Sequence, residues 1–380
     1  MNWIKTTLND ISIDVSYGYT ASAQVDKCGP KFLRITDIVP YFIDYNTVPY
    51  CRIDDSKHEQ YKLKKGDLLI ARTGATTGYN YLFDDDIDAI FASYLIRYRL
   101  NSQKVIPKFV KYVLKSKNYM GFINNYISGA AQPGINAPTL GSFSFLMPKE
   151  KFLQQKIAKF LSNYDDLIEN NNRRIKILEE MAQKIYKEWF VDFKFPGHET
   201  ATIKETVLSS MITPIKGKNI TKSKAKLGNV PVVGGGIEPA YYHNTANTQA
   251  PVITISASGA NAGFVNLYYK NIWASDCSYI DTTMTNYIYY IYLLLKNKQI
   301  EITNMQLGAA QPHVYPRDLV NLKIKEFPIE VVVNFEKMVS PIFENIKVLS
   351  IKNENLKQTR DLLLPRLISG EIDVENMEVL

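Results

Sequence analysis

The chain has 380 residues, enough for two or three domains with sizeable cores. A net charge of +7 and a pI near 8.9 make it mildly basic, which permits an anionic partner without requiring one. Cys28, Cys51 and Cys277 are scattered and lack metal-ligand spacing, which fits a reducing cytoplasm; there is no apolar signal core and no run near the ~18 apolar residues of a membrane span.

Residues 1–148 read as a mixed α/β domain. Lys31–Ile38 is a predicted strand, Lys65-Gly66-Asp67 a turn, and Leu68–Ala71 a buried strand entering the small-residue loop Arg72–Gly78. Ala92–Leu100 alternates like a strand, and Pro107–Asn118 is a predicted short helix carrying Lys108, Lys111, Lys115 and Lys117. The loop Gly129–Asn136 leads past Leu140 to a last strand, Ser142–Leu146.

Residues 149–195 form a helical spacer. Lys149–Asp192 contains neither Pro nor Gly and is closed off by Pro148 and Pro196. Apolar residues recur at Leu153, Ile157, Phe160, Tyr164 and Leu167, then at Ile175, Leu178, Ala182, Ile185 and Trp189. Steps of four and three predict one apolar stripe, close to a coiled-coil seam, on a helix of about 40 residues and about 60 Å. Such a stripe needs a partner of equal length.

Residues 196–328 form a second mixed domain, with a buried strand at Val252–Ser256 and a buried helix at Tyr287–Leu295. Residues 329–380 supply the partner helix: Phe335, Val339, Ile342, Ile346, Leu349, Asn353, Leu356, Arg360, Leu363 and Leu367 step by four and three. Ser340-Pro341 inside this run predicts a break or kink, and Pro365 a kink or an end before Ile368-Ser369-Gly370. Asn171 and Asn353 lie one on each stripe, where they either fix register or face solvent.

The two mixed domains repeat one another. Ile203–Leu208 echoes Ile4–Leu8. The loop Gly259-Ala260-Asn261-Ala262-Gly263 matches Gly74-Ala75-Thr76-Thr77-Gly78, and Gly308-Ala309-Ala310-Gln311-Pro312 matches Gly129–Pro133. The order is globule, helix, globule, helix. The fold class expected is α+β: two similar mixed α/β domains in approximate two-fold arrangement, separated by two long antiparallel helices. Two like surfaces at a set distance suit a target that repeats at a set distance, such as double-stranded DNA with its turn of about 34 Å.

The segments GDLLIARTGATTG, GAAQPGINAPTL, QQKIAKFLSNYDDLIENNN, KIYKEWFVDF with the following FP, and LLLPRLISGEIDV resemble the specificity subunit of type I restriction–modification enzymes, in that family's order and over nearly the whole chain. The resemblance makes 1–148 and 196–328 target-recognition domains and 149–195 and 329–380 spacers. It implies a non-catalytic reader of double-stranded DNA, each domain reading half of a bipartite, asymmetric site. The helices would set the spacing and dock two methyltransferase subunits. Those subunits would carry S-adenosylmethionine, and restriction subunits using ATP and Mg²⁺ would join them. The family's usual Glu-Gln pair is Gln154-Gln155 here, and the second spacer, beginning PIEVVVNFEKM, has no such pair.

The residues themselves offer no catalytic constellation. There is no phosphate loop, no dinucleotide fingerprint and no Asn/Asp-Pro-Pro-Tyr/Phe stretch. His58, His198, His243 and His313 are far apart, and Asp84-Asp85-Asp86 reads as a solvated loop. An isolated nuclease or methyltransferase would need a cluster of that kind, and a protein-binding scaffold would show no DNA selectivity.

DNA contacts are argued by residue type. Arg72, Thr73, Thr76, Thr77, Tyr79 and Asn80 lie in or after the first small-residue loop; Ser258, Asn261 and Asn266 are their counterparts. Gln132 and Gln311 sit on the other repeated loop, with His313 close by. Lys216, Lys218, Lys222, Lys224 and Lys226 form a basic run suited to phosphates. Features shared by both domains cannot tell two half-sites apart. The divergent stretches Tyr17–Gln24, Pro40–Lys57, Lys216–Lys226 and Tyr241–Gln249 are therefore where sequence would be read.

Overall fold

The apolar run after the Lys65–Asp67 turn becomes the strand Asp67–Ala71, buried along its whole length. It is a central strand of a four-stranded antiparallel sheet ordered Ser12–Tyr17, Leu95–Leu100, Asp67–Ala71, Asn80–Leu82. The computed structural model describes residues 2–39, 43–127, 134–306 and 312–375. The chain divides into two compact units, residues 1–170 with 353–380, and residues 171–352.

In the first unit the sheet packs against the helix Pro107–Val113 through Leu68, Ile70, Ile96 and Tyr98 meeting Phe109, Val110 and Tyr112. The same core takes Leu153, Ile157 and Leu161 from the first long helix and Leu364 and Leu367 from the second. A two-stranded ribbon, Trp3–Thr7 with Ser144–Pro148, leads into the first long helix.

The second unit repeats this plan. Its four-stranded antiparallel sheet is ordered Ile215–Lys216, Cys277–Asp281, Val252–Ser256, Val265–Tyr268, and its ribbon pairs Lys204–Val207 with Lys323–Glu326. The helix Ile288–Asn297 takes the place of Pro107–Val113, and Ile288–Leu295 are all buried. Ala182 and Tyr186 of the first long helix and Phe335, Val339 and Phe343 of the second join this core. Phe335 is ringed by Tyr186, Trp189, Phe190 and Tyr290 at centroid distances of 5.9, 5.6, 4.8 and 6.1 Å. Edge-on pairs of this kind add about 0.5–1.5 kcal/mol each beyond their burial.

The fold is the α+β class expected, with two long helices: Lys151–Tyr186, continued by a π-helical turn at Lys187–Val191, and Ile329–Ile368. No described helix is long and apolar enough to cross a membrane.

Four local expectations need correction. Lys31–Ile38 is a strand only over Lys31–Leu33; Asp37 accepts hydrogen bonds from the Arg34 backbone at 2.8 Å and its guanidinium at 3.0 and 2.9 Å, which turns Ile35–Ile38 into a helical turn. Pro107–Asn118 is two helices, Pro107–Val113 and Lys117–Ile127. The buried stripe of the first long helix drifts off the expected seam: Leu167 is 51% exposed while Ile168 is fully buried. A straight helix has 3.6 residues per turn, so a strict four-three pattern drifts by about 20° per heptad around the helix. Finally, the second long helix does not break at Pro341. The Ser340 hydroxyl donates to the Glu336 carbonyl at 2.6 Å and the Asn345 amide to the Pro341 carbonyl at 3.0 Å. Val339, Ile342 and Phe343 are buried on both sides of the proline, and their packing outweighs the roughly 3 kcal/mol a helical proline costs. The helix also passes through Pro365 before ending at Ile368, and Gly370 turns away with φ +79°. Asn353 is buried and so does not face solvent.

Candidate nucleic-acid interface

The two repeated loops, far apart in sequence, meet in each unit. In the first, Thr73 and Gly134 form an antiparallel bridge and the Ile135 N–H donates to the Arg72 carbonyl at 2.8 Å. In the second, Ser258 and His313 form the bridge and the Val314 N–H donates to the Ala257 carbonyl at 3.0 Å. Inside the small-residue loops the Gly78 N–H reaches the Ala71 carbonyl, and the Gly263 N–H the Ser256 carbonyl, both at 2.8 Å. Both glycines are left-handed, at φ +91° and +82°, and a Cβ would lie 2.8 Å from Ile123 at the first and 3.0 Å from the Ile302 carbonyl at the second. Only glycine fits both the conformation and the space.

Several candidates serve this frame. Thr77 is buried and its hydroxyl donates to the Gly74 carbonyl at 2.7 Å. Asn80 donates to the Leu114 carbonyl at 3.0 Å, tying the outgoing strand to the end of the helix Pro107–Val113. Arg72, Thr73 and Thr76 are half-buried and Tyr79 is exposed. In the second unit the Ser258 hydroxyl donates to Asp276, Asn261 closes a short turn by accepting from the Phe264 N–H at 2.9 Å, and Asn266 is half-buried on Val265–Tyr268. Gln132 and Gln311 lie outside the described residues.

The structure also sets Arg72 and His313 against aromatic rings, and brings in Tyr315 and Arg317, which sequence reasoning did not single out. The Arg72 guanidinium lies over the Tyr17 ring, 4.8 Å from its centroid. His313 stacks on Tyr315 at 5.5 Å and 12°, and Arg317 covers the same ring at 4.9 Å. The spacing of His313 and Tyr315 was the available signal, because residues two apart in an extended segment share a face, while Arg317 reaches the ring from the helical turn Pro316–Leu319.

The basic run is anchored by its backbone. Trp273 donates to the Lys218 carbonyl at 2.7 Å, Tyr241 donates to the Ile220 carbonyl, and the Lys226 N–H donates to His243 Nδ1 at 3.0 Å. Lys216, Lys218, Lys222, Lys224 and Lys226 are all exposed. Asp84–Asp86 lie in a solvated loop, as expected, with partners at its edge: Asp85 accepts from Tyr45 and Tyr81 at 2.6 and 3.0 Å, and Lys108 and Lys65 pair with Asp84 and Asp86 at 3.3 and 2.6 Å.

Residues 34–180 match the family model described as the type I restriction modification DNA specificity domain. The type I restriction enzyme MjaIX specificity subunit of Methanocaldococcus jannaschii is 27% identical over 310 residues, 72% of this chain and 71% of that one. The HindI specificity subunit of Haemophilus influenzae is 25% identical over 98% of this chain and 100% of its own. The chain is thus similar to type I restriction–modification specificity subunits over nearly its whole length. Its fold is shared by the crystal structure of the type-I restriction-modification system S subunit from M. genitalium, at a TM-score of 0.58 and 18% identity over 97% of this chain and 96% of that one.

The structure shows what Gln154 does where the family that the sequence resembles usually carries a Glu-Gln pair. Gln154 is fully buried; its carbonyl oxygen accepts from the Ile106 N–H at 2.8 Å, and its amide donates to the Pro148 carbonyl at 2.8 Å. Ile106 is the cap residue of that helix, and the next residue, Pro107, begins it without an N–H. In the second unit Glu336 does the same work with two acceptors, taking the Tyr289 and Tyr290 N–H groups at 3.1 and 2.8 Å. Each long helix thus holds a domain by the open N-terminus of its principal helix. Burial pushes the Glu336 carboxyl up to about 6, and the two N–H groups pull it back only in part.

Proposed function

We propose that the chain is the non-catalytic DNA-reading subunit of a type I restriction–modification enzyme, each unit reading one half of a bipartite, asymmetric site. The observation that supports this best is the loop-on-loop frame. It has the same backbone hydrogen bonds in both units, but Arg72 and Thr73 on one correspond to Ala257 and Ser258 on the other. A shared frame with different side chains is what reading two different half-sites requires. The lysine run from Lys216 to Lys226 would contact phosphates.

The long helices, each contributing to both units, would set the interval between half-sites. Their exposed apolar residues, among them Leu167, Ile177, Met181, Ile351 and Leu362, would be covered by two methyltransferase subunits. S-adenosylmethionine, ATP and Mg²⁺ would belong to the methyltransferase and restriction subunits, in the cytoplasm. Selection of the full chain against a randomised duplex pool tests the reading. A two-part motif supports it, and recovery of no motif at raised salt would indicate a scaffold without DNA selectivity.

A further inference from the structure

Among the half-buried and buried arginines of the first unit, Arg72 is held in place without a counter-charge. Arg34, Arg97, Arg99 and Arg360 each meet a carboxylate, of Asp37, Asp14, Asp67 and Asp165, at 2.9, 2.6, 2.8 and 2.7 Å. Arg72 has no such partner among the described residues; its guanidinium rests only on the Tyr17 ring. That ring is pinned from its far end, where the Tyr17 oxygen accepts from the Ala137 N–H at 3.0 Å. The Arg72 backbone is fixed on both sides, its N–H on the Tyr94 carbonyl at 3.0 Å and its carbonyl on the Ile135 N–H at 2.8 Å. A half-buried guanidinium that meets no carboxylate among the described residues has donors to offer a ligand with acceptors.

We infer that Arg72, stacked on Tyr17, reads a guanine in the half-site of the first unit. This rests on the DNA-reading function proposed above. The planar fork of a guanidinium matches the O6 and N7 acceptors of guanine in the major groove, and stacking on an aromatic face leaves the fork's edge free to meet them. A backbone phosphate offers similar acceptors. The base is favoured because the corresponding position in the second unit is Ala257, joined to Val314 as Arg72 is to Ile135. A position that differs between two otherwise matching frames suits a discriminating contact, whereas a phosphate contact carries no sequence information.

The test is selection of the full-length chain against a randomised duplex pool, with wild type, Arg72→Lys, Arg72→Gln and Tyr17→Leu. The Arg72 side chain takes no part in the loop's backbone hydrogen bonds, so the Arg72 variants retain the frame. Arg72→Lys keeps the charge but loses the fork. It should lower the preference for one G·C pair in one half-site about tenfold or more, with every other position unchanged. Tyr17→Leu should weaken preference at that same pair. Wild-type preference at all positions in both Arg72 variants would overturn the inference. So would a uniform loss of affinity with unchanged preferences, which marks a phosphate contact. Absence of any motif for wild type would overturn the DNA reading itself and this inference with it.

Discussion

Asp165 on the first long helix accepts a 2.7 Å hydrogen bond from Arg360 on the second, inside the first unit. The same carboxylate takes the Tyr112 hydroxyl at 2.9 Å and faces Lys115 at 3.5 Å, so one acid joins both helices to the domain. Burial pushes the Lys115 ammonium down to about 8 despite the pull of Asp165. Asp165→Ala removes one counter-charge from an arginine that is 11% exposed and that keeps Asp361 at 2.8 Å, and should destabilise the first unit by about 1–3 kcal/mol. Pairing it with Arg360→Met should recover much of that loss, because two apolar groups demand no compensation. Urea unfolding, with hydrogen exchange followed over Pro107–Val113, measures both; equal losses in the single and double variants would contradict the account.

Glu336 makes the second unit more stable in mild acid than near neutrality. A carboxyl that holds its proton more tightly in the folded chain adds stability when protonated. That contribution is complete below its ordinary value near 4.5 and is lost as pH rises through about 6. The loss across this window is about 2 kcal/mol. Glu336→Gln, which cannot ionise, should remove that slope. Stability against pH, compared between the two proteins, decides it: parallel curves from pH 4.5 to 6 would show that Glu336 is not the group responsible.

The repeated glycines should separate into two classes. Gly74 and Gly259 are left-handed but have open space, with nothing within 4 Å of the position a Cβ would take, whereas Gly78 and Gly263 are both left-handed and crowded. Alanine at the first pair should cost about 1 kcal/mol of backbone strain. At the second pair overpacking adds about 1–3 kcal/mol. Thermal melts of the four variants give the ranking, and four equal shifts would mean the close approaches are not felt.

Exposed lysines on an anchored backbone should act as independent phosphate contacts. Replacing Lys222 and Lys224 with Gln should lower affinity evenly across DNA sequences and reduce the slope of log affinity against log salt by about 1.8. Fluorescence anisotropy at several salt concentrations reads this directly. An unchanged slope would assign the run to solvated surface.

Much of the architecture was legible because it is written in local rules. Neither Pro nor Gly interrupts Lys149–Asp192, so the first long helix could be seen, and the Gly-Ala loops returned at Gly259 after Gly74 with a buried strand before each. What was hidden depends on surfaces that exist only after folding. The choice between Leu167 and Ile168 turns on which face of the helix the folded chain covers. Pro341 was read from its intrinsic cost, whereas its neighbours are held by long-range burial. Tyr17 and Arg72 are brought together by the pairing of Ser12–Tyr17 and Asp67–Ala71 with the same strand, Leu95–Leu100, and no local spacing announces that meeting.

The grip of Gln154 and Glu336 on a helix start bears on how such a molecule could acquire new specificities. Each contact uses peptide N–H groups, which any sequence but proline supplies. An incoming domain therefore need not preserve a particular side chain at that seam, only the placement of one helical first turn. A joint built on main-chain chemistry lets the rest of a domain diverge while its attachment to the long helix stays compatible.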